Sequence, residues 1–183
     1  MRKAYAVGLV DESPDFASLT YPTLQDVVSR VSAAGIGGHA ATSLTRTDPS
    51  DVTAIARELR RIESLLEESP LPDTEWPRLL QILDRDRLAA LVGASPSSVA
   101  RYERGERTTP DLVAARLHFL ALVVGDLAGA YNAIGIRRWF ERPRAALEGR
   151  APADLLVGEW QPDDEGAARV RALARSLVES PAT

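Results

Sequence analysis

Residues 85–104 constrain the fold of this chain more than any other stretch, because they place a glycine-centred turn between two short helical patterns. Gly93 suits a turn that needs a left-handed backbone position, and Ala89 is small enough for two helices to approach each other closely. The N-cap of the second helix, its first position and its apolar anchors are supplied by Ser95, Pro96, Val99 and Tyr102. The stretch therefore predicts a helix-turn-helix.

The second helix of such a motif lies in the DNA major groove and offers its N-terminal residues to base edges. The candidate DNA-binding residues are Ser95, Ser97, Ser98, Arg101, Arg104 and Arg107. Arg101 is suited to hold a guanine with two hydrogen bonds, whereas Arg104 and Arg107 are assigned to backbone phosphates. Ser95 opens a helix N-terminus, where free N–H groups favour an anion. The alternative is a helix-turn-helix that serves only as scaffold, with Arg101 on a solvated face.

Two segments of the sequence resemble known families. The spacing of Ala89, Gly93, Val99 and Tyr102, with Arg101 to Gly105 and Pro110, resembles the Xre or lambda-repressor-like family. A later series resembles the toxin-binding domain of the Xre/MbcA/ParS antitoxins: Trp139, Pro143, Leu147, Gly149, Pro152, Leu155 and Leu156, followed by Glu165 to Val170. Together the two matches cover residues 76–183. The resemblance implies a C-terminal domain that binds and blocks an NAD-degrading toxin of the RES fold, and a helix-turn-helix that represses the shared operon.

The candidate partner-binding residues are Trp139, Arg142, Arg144, Arg150 and Trp160. Arginine and tryptophan commonly anchor interfaces, and we expect the three arginines and Trp160 to be exposed. A purely structural interpretation is also open, in which prolines and a glycine shape a rigid turn while apolar side chains close a small core. That core contains Trp139, Phe140, Leu147, Leu155 and Leu156, and for these residues packing is the favoured interpretation.

The chain is predicted to be mainly α, with a lambda-repressor-like helix-turn-helix followed by a small helical toxin-binding domain, and with an N-terminal helical region in which a short strand is allowed. The predicted domains are 1–72, of unknown role, 73–130 for DNA binding and 131–183 for toxin binding. Residues 4–10 form an apolar run of strand length, although seven residues do not distinguish a strand from a buried helical segment. Helices are predicted from the Thr23 N-cap to Gly35, from Pro49 to Glu68, over 111–131, over 136–141 and over 166–179, with a loop over 37–47 and a linker over 69–73.

Composition argues against an enzyme. The 183 residues include no cysteine, which excludes disulfide frameworks, thiolate zinc sites and cysteine nucleophiles. Of the two histidines, His118 falls in the apolar helix and is interpreted as a core residue, while His39 falls in a loop without a nearby carboxylate. The acidic run 163–165 is interpreted as a solvated turn rather than a cation site. No catalytic residue, metal site or cofactor is predicted.

The charge distribution bears on the partners. The net charge is −4, with a pI near 5.3, yet residues 76–107 hold six basic and four acidic residues. This small local excess of positive charge predicts that a single copy binds double-stranded operator DNA weakly. We therefore expect the protein to bind DNA as a homodimer. Of the 22 basic residues 21 are arginine, a bias that GC-rich codons explain as well as function does. The chain is expected in the cytoplasm and not in a membrane, since charged residues interrupt its most apolar helix.

The leading functional hypothesis is a DNA-binding antitoxin that neutralises a RES-type toxin by contact and represses its own operon. The alternative is a stand-alone transcriptional regulator that uses the C-terminal domain for dimerisation or partner binding. A neighbouring reading frame for a RES-like protein favours the first hypothesis, and its absence favours the second.

Overall fold

The structure is a computed structural model that describes residues 4–5, 7–10, 20–128 and 130–179. Within these ranges the chain is mainly helical and contains no strand, which confirms the predicted fold class. The helices are α1 (Tyr21–Ala33), α2 (Gly38–Arg46), α3 (Val52–Glu67), α4 (Pro72–Leu80), α5 (Arg85–Val92), α6 (Pro96–Glu103), α7 (Asp111–Leu127), α8 (Ala133–Glu141) and α9 (Glu165–Glu179). Two short 3₁₀ turns, Ala145–Leu147 and Pro152–Leu155, lie between α8 and α9.

Two predictions for the start of the N-terminal region are corrected by the structure, and one for its last helix is confirmed. Residues 4–5 are helical and 7–10 form a turn, in which the Leu9 amide donates to the Ala4 carbonyl, so the strand over 4–10 is wrong for the described residues. The first helix begins two residues before Thr23, because the Thr20 hydroxyl accepts the Thr23 amide and acts as the N-cap. The α3 helix confirms the prediction over 49–68 in its main part, with Asp51 as its N-cap.

The predicted loop over 37–47 is wrong, because residues 38–46 form α2. Its hydroxyl side chains bond to carbonyls one turn back instead of opening the helix: Thr42 donates to Gly38 and Thr47 to Ser43, both at 2.9 Å. Ala40, Ala41 and Leu44 are buried on one face of α2. Packing therefore determines this helix where its small polar residues alone do not.

The two short helices and the glycine turn predicted over 85–104 are present, as α5, Gly93 and α6. Asp84 accepts the Arg87 amide at the start of α5, and Gly93 ends that helix with a φ of +74°. Ser95 accepts the Ser98 amide and caps α6, whose Val99 and Tyr102 are buried. Ala89, 1% exposed, lies in the buried core as expected of the small residue between two packed helices.

Later helices also match their predictions. The apolar helix over 111–131 is α7, which is buried along nearly its whole length, and the patterns over 136–141 and 166–179 are α8 and α9. No described helix is long and apolar enough to cross a membrane. The buried apolar residues from Ala4 to Ala174 form a single cluster, to which all three predicted regions contribute.

Candidate nucleic-acid interface and partner-binding surface

The outer face of α6 presents the predicted DNA-binding residues. Ser95, Ser97, Arg101, Arg104 and Arg107 are exposed and Ser98 is half-buried. The helical period explains this face, because the side chains of Val99 and Tyr102 occupy the opposite, buried side of α6. The Ser95 hydroxyl is already engaged: it accepts the Ser98 amide at 3.1 Å and lies 3.0 Å from the Ser97 hydroxyl. The structure therefore brings the six predicted residues together, with Ser95 acting first as a helix cap.

The arginines of this face differ in how much of their charge is available. Glu106 binds Arg104 through two hydrogen bonds of 2.6 and 2.8 Å, which raise the pKa of Arg104 and lower the pKa of Glu106. Glu103 is bound by Arg85 at 2.9 Å. The Arg101 carbonyl accepts the Glu106 amide, but its side chain has no hydrogen bond or ion pair within the described ranges. The Arg107 guanidinium lies 5.7 Å from the centre of the Tyr102 ring. A phosphate or a base therefore meets Arg101 and Arg107 before Arg104.

The last carbonyls of α5 are held by groups from outside the helix-turn-helix. The Trp160 indole donates to the Leu91 carbonyl at 2.9 Å, and Arg116 donates to the Val92 carbonyl at 3.2 Å. Arg116 also donates to the Trp160 carbonyl at 2.8 Å, and its guanidinium carbon lies 5.2 Å from that indole ring. Carbonyls at a helix C-terminus have no partner inside the helix, so these two side chains satisfy them. We call this arrangement the Arg116–Trp160 clamp.

Sequence reasoning missed the clamp. The available signal was an arginine in the middle of an apolar helix, because a guanidinium is rarely buried without partners. Arg116 is 6% exposed and Trp160 is 4% exposed. The expectation that Trp160 is an exposed partner contact is therefore wrong, and the ring instead packs edge-on against Phe119 at 5.3 Å.

The remaining predicted partner residues divide between core and surface. Trp139 is 1% exposed, so its assignment to a partner surface is wrong and its alternative role in the core holds. Arg142 and Arg150 are exposed, as expected. Arg144 is half-buried and lies over the Trp139 ring at 5.7 Å, while its backbone amide donates to the Arg150 carbonyl. Arg142 and Arg150 are therefore the predicted contacts that a partner reaches without rearrangement.

His118 is a buried core residue whose two ring nitrogens are both engaged. Its Nδ1 lies 2.5 Å from a Glu75 carboxylate oxygen, and its Nε2 lies 3.0 Å from the Glu67 carbonyl. A carbonyl only accepts, so Nε2 carries a proton, and a second proton lies between Nδ1 and Glu75. Burial raises the pKa of Glu75, against an opposing hydrogen bond from His118. The pair therefore holds two protons, one on Nε2 and one shared by Nδ1 and Glu75. An ionised carboxylate beside a neutral imidazole would hold only one.

We expect Glu75→Gln to change the pH dependence of stability. Because the folded state holds a Glu75 proton that the unfolded chain releases near pH 4.5, the contribution of Glu75 to the free energy of unfolding falls as the pH rises above that value. Glutamine needs no proton to donate to Nδ1, so the variant loses less stability. Urea unfolding of both proteins at pH 5 and pH 8 measures the difference. Parallel pH profiles would contradict the shared proton.

The two remaining polar features of the sequence are His39 and the acidic run 163–165. His39 is exposed in the first turn of α2 rather than in a loop. The acidic run forms a turn before α9, in which Asp164 accepts the Gln161 amide at 2.7 Å, as the solvated-turn interpretation predicts. Among the residues that the structure describes, no group of histidines and carboxylates is arranged to hold a metal ion.

The chain matches no protein-family model and no solved structure. It is similar to the mycobacterial cidal antitoxin MbcA of Mycobacterium bovis and of two strains of Mycobacterium tuberculosis. Each alignment is 36% identical over 98 residues, which make up 53% of this chain and 80% of the relative. Each alignment therefore covers most of the length of the relative. With a helical fold and 36% identity to these relatives, the chain belongs to the family of the MbcA antitoxins.

Proposed function

We propose that this antitoxin binds operator DNA through α6, neutralises a RES-type toxin by direct contact and represses its own operon. The observation that carries the DNA-binding part is the outer face of α6, where the Arg101 side chain, in the last turn of the helix, is exposed and unpaired within the described ranges. A guanidinium in this position fits the two acceptors of a guanine in the major groove. The same chain acts by binding rather than by catalysis in this proposal.

Charge supports a dimeric form of the DNA-binding protein. Glu103 and Glu106 each bind an arginine of the same region, so one copy offers few uncompensated positive charges to the phosphates. Affinity for DNA grows with the number of phosphates neutralised, and two copies on adjacent half-sites double that number. Sedimentation with and without operator DNA tests this requirement.

The toxin-binding part is supported by the antitoxin family and by the exposed arginines of the turn after α8. Arg142 and Arg150 lie on the surface of the region whose sequence resembles the toxin-binding domain. The proposal requires a neighbouring reading frame that encodes a RES-like protein, and co-purification with that protein tests it directly. Failure of that protein to bind, together with intact operator binding, favours a stand-alone regulator.

We expect Arg101→Ala to weaken specific operator binding by about 1–3 kcal/mol and to relax sequence choice at one base pair. The matched control is Arg107→Ala, which removes a phosphate contact and weakens all sequences alike. Fluorescence anisotropy with operator and scrambled duplexes, titrated with salt, separates the two effects. If Arg101→Ala lowers affinity for both duplexes equally, Arg101 does not read a base.

A further inference from the structure

A groove of about 770 Å³ lies between α7 and α9, beside the end of α3 and the turn before α9. A groove of this size is within the usual range of a ligand or peptide site. It is lined on α7 by positions 112, 115, 119 and 122, and on α9 by positions 168, 171, 172 and 175. Both sets follow the helical spacing of one face, so two parallel stripes of side chains border the groove.

The floor of the groove is apolar except for His118, and its α9 side combines two arginines with two alanines. Phe119 and Leu122 are buried beneath it, whereas Leu112 at its edge is 48% exposed. Ala168 and Ala172 of α9 are exposed in the groove, and their short side chains let a third helix approach closely. An amphipathic helix inserts apolar residues into a groove of this form.

The charges at the groove do not balance. Arg171 binds Asp126 at 2.7 Å and Glu67 at 3.1 Å, and Arg175 binds Glu67 at 2.5 Å, so these two arginines and two acids neutralise each other. Two further acids line the groove, Glu68 and Asp163, and neither has a cationic partner within the described ranges. The groove therefore carries uncompensated negative charge contributed by two separate segments.

We propose that this groove docks a basic amphipathic helix of the toxin. The inference rests on the proposed function for the identity of the partner. Apolar side chains of the docked helix cover Leu112 and Phe119, and its lysines or arginines lie against Glu68 and Asp163, which orients the partner and speeds association.

Charge disfavours occupants from this chain itself. The segment 11–19 carries three acidic residues and no basic one, so it repels the rim of the groove. A second copy brings a net charge of −4. A toxin segment with an excess of lysine or arginine therefore fits the groove better than either of these occupants.

The test uses the full chain and two kinds of probe. One kind is the purified RES-like protein of a neighbouring reading frame, whose presence the proposed function requires. The other is a pair of labelled peptides of about 18 residues, roughly five helical turns, built from leucine with lysine or leucine with glutamate. The variant Ala172→Trp fills the groove from an exposed position, and Ala33→Trp, at the exposed end of α1, is its matched control.

We expect the leucine–lysine peptide to bind at least about tenfold more tightly than the leucine–glutamate peptide. Ala172→Trp should weaken toxin and peptide at least about tenfold, while Ala33→Trp leaves both unchanged. The double variant Glu68→Lys with Asp163→Lys should reverse the peptide preference. Its control, Glu159→Lys, changes an exposed acid of the same loop outside the groove and should preserve it.

Three outcomes would overturn the proposal. If the toxin binds Ala172→Trp as tightly as the wild type, the groove is not the docking site, although the antitoxin role stands. If the toxin binds neither protein, the proposed function fails, and with it the toxin as occupant. If Ala172→Trp converts a dimer of the chain to a monomer, the occupant is a second copy.

Discussion

We expect Trp160→Ala to lose about 3–5 kcal/mol of unfolding free energy, the usual cost of truncating a buried tryptophan. The ring is 4% exposed and packs against Phe119 and the Arg116 guanidinium. Its removal leaves a cavity beside α7 and also leaves the Leu91 carbonyl without its indole donor. Urea unfolding followed by far-ultraviolet circular dichroism measures the loss.

Trp160→Phe is the matched control, because it keeps most of the buried ring and removes only the N–H group. We expect this variant to lose about 1–3 kcal/mol, the usual cost of an unsatisfied buried polar group. Equal losses for Trp160→Ala and Trp160→Phe would show that packing of the ring against Phe119 does not contribute. Operator binding by the phenylalanine variant reports whether the turn of the helix-turn-helix keeps its shape.

The helix-turn-helix could be predicted because its determinants are local. Gly93 needs only its own left-handed φ, and Ser95 needs only the amide three residues later. Helix α2 could not be predicted in the same way. Its threonines and glycines are typical of loops, and burial of Leu44 and two alanines stabilises it as a helix instead.

The roles of Trp160 and Arg116 were beyond prediction because they depend on contacts distant in sequence. Trp160 lies 69 residues from Leu91, and Arg116 lies 24 residues from Val92. Residue type alone does not distinguish a core position from an interface position for Trp160, because tryptophan is common in both. In the candidate site, the helical period of the sequence predicts which face of α6 is exposed. The pairing of Arg104 with Glu106 is visible only in the structure.

The single core also changes how the proposed modules can be separated. Residues 131–183 bury Trp139, Phe140 and Trp160 against the remainder of the chain. Deleting this segment exposes apolar surface on α7 and removes a donor from α5, so loss of DNA binding by the truncated chain would not assign a function to it. Exposed substitutions such as Arg101→Ala and Ala172→Trp avoid this problem, because neither side chain belongs to the core.

The second large effect is expected at Gly93, where substitution by alanine should lower the free energy of unfolding by about 2–4 kcal/mol. The left-handed conformation, with a φ of +74°, costs an alanine about 1–2 kcal/mol. In addition, a Cβ at this position would lie 2.3 Å from Nη1 of Arg116, so the buried guanidinium must shift and weaken its bond to Val92. Gly105→Ala is the matched control, because its φ is +67° and no atom lies within 4 Å of its added Cβ.

Gly93→Ala should lose more free energy of unfolding than Gly105→Ala, and this difference measures the steric contact with Arg116. A double-mutant cycle tests whether Arg116 is its cause. Arg116→Met removes the guanidinium while retaining a flexible apolar stem, at a cost of its own because two carbonyls lose their donor. In that background, Gly93→Ala should cost no more than Gly105→Ala, because the added methyl group then meets no charged atom. If the excess persists in the Arg116→Met background, backbone strain at the turn is its source, and the clamp does not constrain the residue at position 93.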